Sequence, residues 1–380
     1  MKRIIVLAIL ICSLFLSQTY GQQSDSTVII GKPAFYLVPD TNVRIELTNS
    51  LKGFLRARND SANPNPYIES AYLRDNVDPF SWLRSAEGKK PNGKRFYIPT
   101  LLTVMPIGAQ KYILKLAYIS ANNSLSNIPE LKLVTSFEVR KMGDKYFFYN
   151  TIEYNTRSFN VKQVGNIKYI YPNKLNIEMA KNMDQFNSAF AKKFNTTPLK
   201  ITYYKCNDPE QLFKMLGFDY IENMYYSLSG GLAYQWNNTL LAGNNSELYE
   251  HEVVHFYTSI LFGQITREVD EGYATYVGGS GGVNLDGLAM FAKKYIISNK
   301  VSDICDLATD FKVRIDGGVP ITYILSGLVC RDIEEKYGID GTKKLFSPER
   351  QEDYFATLKR VNGIGKEEFS KYIKTLLAKY

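Results

Sequence analysis

The chain of 380 residues contains two histidines, and they stand four apart in His251-Glu252-Val253-Val254-His255. On an α-helix, residues four apart share one face, one turn apart. Both imidazoles can therefore aim a ring nitrogen at one metal ion, at roughly 2.0–2.1 Å for zinc. A helix here is supported by Asn244 and Glu247, spaced as in a capping box, and by Gly263 as its stop. Leu248, Val254, Tyr257, Ile260 and Leu261 supply its apolar faces. Glu252 is offset around the helix from His251, where a carboxylate can take a proton from a metal-bound water without being a ligand. A catalytic zinc takes three protein ligands and keeps one position open. With no histidine left, the best candidate for the third is Glu271, in Val269-Asp270-Glu271-Gly272-Tyr273-Ala274, which reads as the start of a second helix. The bland alternative is a structural helix whose histidines pack or face water.

HEVVH followed by DEGYA resembles the gluzincin metallopeptidases, the clan that includes thermolysin-like and alanyl-aminopeptidase-like enzymes. Those proteins carry HExxH on one helix and a zinc-binding glutamate on the next. The resemblance covers about residues 175–380. It implies a zincin-like fold, one zinc ion held by His251, His255 and Glu271, Glu252 as general base, and a peptide or protein substrate. Two features depart from particular families. The interval between His255 and Glu271 is shorter than in the aminopeptidases, and Thr275 stands where thermolysin-like enzymes have aspartate. The resemblance is therefore to the clan rather than to one family.

In gluzincins the strand ahead of the metal helix lies at a sheet edge and takes up extended substrate backbone by β-addition. The corresponding strand is expected over 234–241, with Gly230 and Gly231 near its start as either a close-approach site or a plain turn. Aminopeptidases of the clan hold the substrate amine with a glutamate near here. Residues 227–243 contain no acidic side chain, which favours an endopeptidase. Peptide hydrolysis builds negative charge on the carbonyl oxygen, which a donor must meet. Without a third histidine that donor is Tyr, Arg or backbone. Related families place a tyrosine on a helix downstream of the glutamate ligand, and Tyr323 fits that order, with Tyr273 and Tyr276 as rivals. Asp270 could orient a ligand histidine or cap a helix.

The start, Met1-Lys2-Arg3 followed by an apolar run to Leu16 and then small and polar residues, reads as a signal peptide over 1–21. The run is short for a membrane span, and no other stretch is long and apolar enough, so no transmembrane segment is expected in the mature chain. The destination is the periplasm, the cell surface or the medium. Three cysteines remain after the leader, Cys206, Cys305 and Cys330, which allows one disulfide and one free thiol. Cys330, in an apolar helix pattern, reads as a buried thiol. The formal net charge of +8 is partly Lys2 and Arg3, and the remaining basic residues are interspersed with acidic ones. No basic block points to nucleic acid.

The pattern is α+β in two domains: residues 22–172 and 173–380. The first shows a helix over 41–57, then β-rich runs at 96–105, 111–120, 131–140, 145–149 and 167–171, separated by turn signals. This faintly resembles nuclear-transport-factor-like or cystatin-like folds and reads as a packing or substrate-presenting module. Pro172-Asn173-Lys174 is the expected boundary. Helices are expected over 175–194, 208–216, 285–299 and 320–337, with smaller ones near the C-terminus, and a strand over 199–204. Gly278-Gly279-Ser280-Gly281-Gly282 lacks the Lys-Ser/Thr of a phosphate loop and reads as a flexible connection. The function reading is an exported zinc peptidase. Its rival is a non-catalytic, zinc-containing binding or assembly protein.

Overall fold

A computed structural model describes residues 28–57, 63–75, 80, 82–88, 95–120, 129–222, 224, 231–234, 238–315, 318–349 and 352–380. The expected leader lies outside the described residues. The chain is mixed α and β, and its contacts divide it into two compact units.

In the first unit, helix α1 (Thr41–Ala57) buries Leu47, Leu51, Phe54 and Leu55. Their spacing places them on one helical stripe. The sheet contains β1 (Ile29–Ile30), β2 (Tyr97–Gly108), β3 (Lys111–Ser120), β4 (Leu131–Met142) and β5 (Lys145–Tyr149), in that spatial order. Phe54 stacks on Phe148 of β5, centroids 4.0 Å apart.

The boundary expected at 172/173 falls instead at Asn150/Thr151. Strands β6 (Asn160–Val164) and β7 (Ile167–Tyr171) form a hairpin, and β7 pairs in parallel with β8 (Ile201–Lys205). Ile167 and Tyr169 of β7 are fully buried in the second core, so this hairpin belongs to the second unit. Beyond that boundary the chain returns to the first unit at β9 (Phe218–Ile221), which pairs with β4.

The second sheet runs in the order β10 (Gly231–Tyr234), β11 (Thr239–Ala242), β8, β7, β6. A single strand over 234–241 does not form. Two strands pair antiparallel as a hairpin, and β11 runs parallel to β8 inside the sheet. All four residues of β11 are buried, which suits an interior strand and leaves β10 at the edge.

Helices cover this sheet. Asn176 caps α2 (Ile177–Lys193) by accepting from the amides of Glu178 and Met179, and Asp208 caps α3 (Pro209–Met215) by accepting from Gln211. His251 and His255 lie on α4 (Glu250–Phe262) and Glu271 on α5 (Arg267–Gly278). Then follow α6 (Leu285–Ser298), α7 (Ile321–Leu345), α8 (Tyr354–Asn362) and α9 (Lys366–Leu377). Gly338, with φ of 62°, breaks the helical path of α7 at the expected stop. Helices α5 and α7 nearly touch backbones. A methyl on Gly272 would lie 2.4 Å from Ser326 Cβ.

Cys206, Cys305 and Cys330 are buried and free, so the disulfide that their number allows does not form. Cys206 packs in a small cluster with Met215, whereas Cys305 and Cys330 belong to the large core. Among the described residues, no helix is long and apolar enough to cross a membrane.

Candidate metal centre

The segment entering α4 is fixed from the sheet. The Glu247 carboxylate, which the capping-box reading assigns to the helix start, instead accepts from the Asn176 amide at 2.8 Å and pairs with Lys205 at 2.8 Å. Asn244 accepts locally from the Ser246 amide. The helix therefore begins later, at Glu250, with Tyr249 as an N-cap that makes no side-chain cap bond. Tyr169 of β7 donates to the Glu247 carbonyl and Tyr203 of β8 to the Ser246 carbonyl. These bonds anchor the helix entry to the two central strands. At the other end, Gly263 takes φ of 67° as the expected C-cap.

His251 and His255 are each 8% exposed, and their inner nitrogens are committed. His251 Nδ1 lies 2.8 Å from the Gly279 carbonyl oxygen, and His255 Nδ1 lies 2.9 Å from Asp270 Oδ2. A carbonyl or carboxylate oxygen can only accept, so each Nδ1 is the protonated donor. In the neutral imidazole the lone pair then sits on Nε2. Both Nε2 atoms face Glu271 Oε2, at 3.4 Å from His251 and 3.6 Å from His255. Tetrahedral ligands at about 2.0–2.1 Å from zinc stand roughly 3.3–3.4 Å apart. The three ligand atoms, all within 4.8 Å of one another, fit such an ion with little adjustment.

Asp270 is held in turn by Thr258, whose hydroxyl donates to it at 2.7 Å. Of the two readings of Asp270, orienting a histidine is the one that the geometry supports. Thr266, not Asp270, is the N-cap of α5. Burial works against charge on Asp270 and Glu271, but the histidines beside them prevail and hold both carboxyls below their usual range. At His255, burial disfavours the charged ring. The Asp270 hydrogen bond and charge outweigh it and raise the pKa to about 9.

The glycine run after α5 is a built wall. Gly279 takes φ of 71°, and a short bridge joins Ser280 to Val283. Its carbonyl is what fixes the His251 tautomer, so the reading of this run as a mere flexible connection is corrected. Gly278 is needed for close approach, since a methyl there would lie 2.3 Å from the His251 backbone nitrogen.

Glu252 and Tyr323 line the same cavity of about 660 Å³ as the three ligand residues. The Tyr323 ring lies near His251, centroids 6.3 Å apart. Burial first, then the Glu271 charge, push its pKa well above the ordinary phenol value, so it remains a donor. The rivals are occupied elsewhere. Tyr273 donates to Glu334 at 2.7 Å and Tyr276 to the same carboxylate at 3.3 Å. Sequence reasoning singles out neither Thr258 nor the Gly279 carbonyl.

No protein-family model, curated protein or solved structure matches the chain.

Proposed function

We propose that this chain is an exported zinc peptidase of gluzincin type, with the second unit as a zincin-like catalytic domain. The observation that carries the reading is the convergence of His251, His255 and Glu271, with both Nδ1 donors already engaged. These three residues would hold the ion. Once bound, zinc supplies a Lewis acid that polarises a carbonyl and lowers the pKa of its water to about 7.

Glu252 is the general base. It takes a proton from the attacking water and returns it to the departing amine nitrogen. Tyr323 donates a hydrogen bond to the carbonyl oxygen as negative charge gathers there. Among the described residues β10 is the edge of its sheet, where an extended peptide would add as a further strand. The lack of acidic residues over 227–243 favours internal cleavage over removal of a terminal residue. The leader-like start supports export to the periplasm, the cell surface or the medium.

Glu252→Gln tests the catalytic reading against a zinc-holding binding or assembly protein. Cleavage of a peptide library should fall by about 10²–10⁴-fold while one zinc per chain is retained. Zinc retention in unmodified protein that cleaves nothing would favour the binding role.

A further inference from the structure

Among the described residues, four carboxylates line the cavity, and three of them already have partners or a role. Glu271 converges with the two histidines, Asp270 is bonded to His255 and Thr258, and Glu252 is the proposed base. The fourth is Glu250, the first residue of α4 and the neighbour of His251. It is half-buried, and among the described residues its carboxylate has no hydrogen bond or ion pair. No lysine or arginine stands among the described residues of the lining. The adjoining wall is the glycine run, where a methyl on Gly278 would lie 2.9 Å from the Glu250 carbonyl carbon. From 278 to 282 that wall carries a single side chain, the Ser280 hydroxyl. A carboxylate drawn partly out of water without a donor is costly unless a ligand brings a positive group to it. Helix stabilisation is the plain alternative, since acidic residues are favoured in a first turn. Glu252 already fills that role in the same turn, and it does not require a carboxylate on the cavity wall.

We propose that Glu250 is a specificity-determining residue that receives a positively charged group of the substrate, an ammonium or a guanidinium, close to the bond that is cut. This rests on the peptidase reading above. Consecutive Cα atoms stand about 3.8 Å apart, and an extended residue spans about 3.3–3.6 Å. A subsite on the neighbour of a metal ligand therefore reads a group within a residue or two of the scissile carbonyl. For an internal bond that group is a lysine or arginine side chain, and for a terminal bond it is the α-amine. A substrate glutamate at the same place would face a like charge, which selects against it.

The test uses the zinc-loaded full chain and end-blocked peptides that differ only in one residue beside the cleaved bond: Lys, Arg, norleucine or Glu. The Lys and Arg peptides should exceed norleucine in kcat/KM by about tenfold, and Glu should fall below it. Glu250→Gln should erase that preference, and Glu250→Lys should invert it in favour of Glu. One zinc per chain in each variant shows that the metal centre is intact. A lowered denaturation midpoint with the preference unmoved would mark helix stabilisation alone and overturn the proposal. Indifference of the unmodified protein to substrate charge would overturn it too. The same peptides with a free N-terminus locate the cation: a Glu250-dependent gain that follows the free amine assigns the subsite to the chain end. If the unmodified protein cleaves no peptide, the peptidase reading fails, and binding of the same peptides is then followed by fluorescence anisotropy. There, tighter binding of the Lys peptide that is lost in Glu250→Gln sustains the subsite, and equal binding of all four rejects it.

Discussion

Asp270 never needs to touch a metal to decide whether one binds. It accepts from His255 Nδ1 and from Thr258, which fixes the ring and keeps Nε2 turned towards Glu271. Asp270→Ala should weaken zinc affinity by about 10–100-fold, measured by competition with a chelating dye. The same pair sets a pH dependence. Without metal, His255 titrates at about 9 against an ordinary 6.5. A raised folded value means that its contribution to stability is complete below 6.5 and is lost as pH climbs through about 9. Denaturant midpoints of metal-free protein should fall across that window. Zinc uptake at neutral pH should release the His255 proton, which calorimetry in buffers of different ionisation heat would count. The convergence of His251, His255 and Glu271 is legible in the sequence, because two histidines at helical spacing leave few geometries open. Thr258 and the Gly279 carbonyl are not, because a backbone oxygen and a common hydroxyl carry no mark of where the chain will fold back.

Among elements, α5 is the one that assembles the centre. It carries Asp270 and Glu271, and it packs tightly at both Gly272 and Gly278. Gly278→Ala would set a methyl 2.3 Å from the His251 backbone nitrogen and force α4 and α5 apart. The expected cost is about 1–3 kcal/mol of stability, together with weaker zinc binding. A normal denaturation midpoint with full zinc affinity would show that the helices yield there freely. Helix positions read well from the sequence, since a cap such as Asp208 and a stop such as Gly263 act locally. The start of α4 read poorly. Glu247 had the spacing of a cap residue, but a buried pairing with Lys205, distant in sequence, claimed its carboxylate. The sequence reading also merges β10 and β11 into one strand, although Asn238, with φ of 46°, stands just before β11 as a turn residue.

At the scale of the whole molecule, the division of the chain makes a testable claim. Periodicity showed β7 as a strand but could not say which sheet it joins, and that depends on β8 thirty residues later. A fragment of residues 173–380 leaves β6 and β7 behind and strips Ile167 and Tyr169 from the core. It should lose cooperative melting and zinc binding, whereas residues 151–380 should keep both, as followed by circular dichroism and metal analysis. The central claim is tested most directly by X-ray absorption at the zinc edge on the full chain, with zinc counted in parallel in Glu271→Ala. The account predicts one zinc per chain, bound by two imidazole nitrogens and a carboxylate oxygen, and lost in large part from the variant. Zinc without imidazole in its shell, or zinc held equally well after Glu271→Ala, would contradict it.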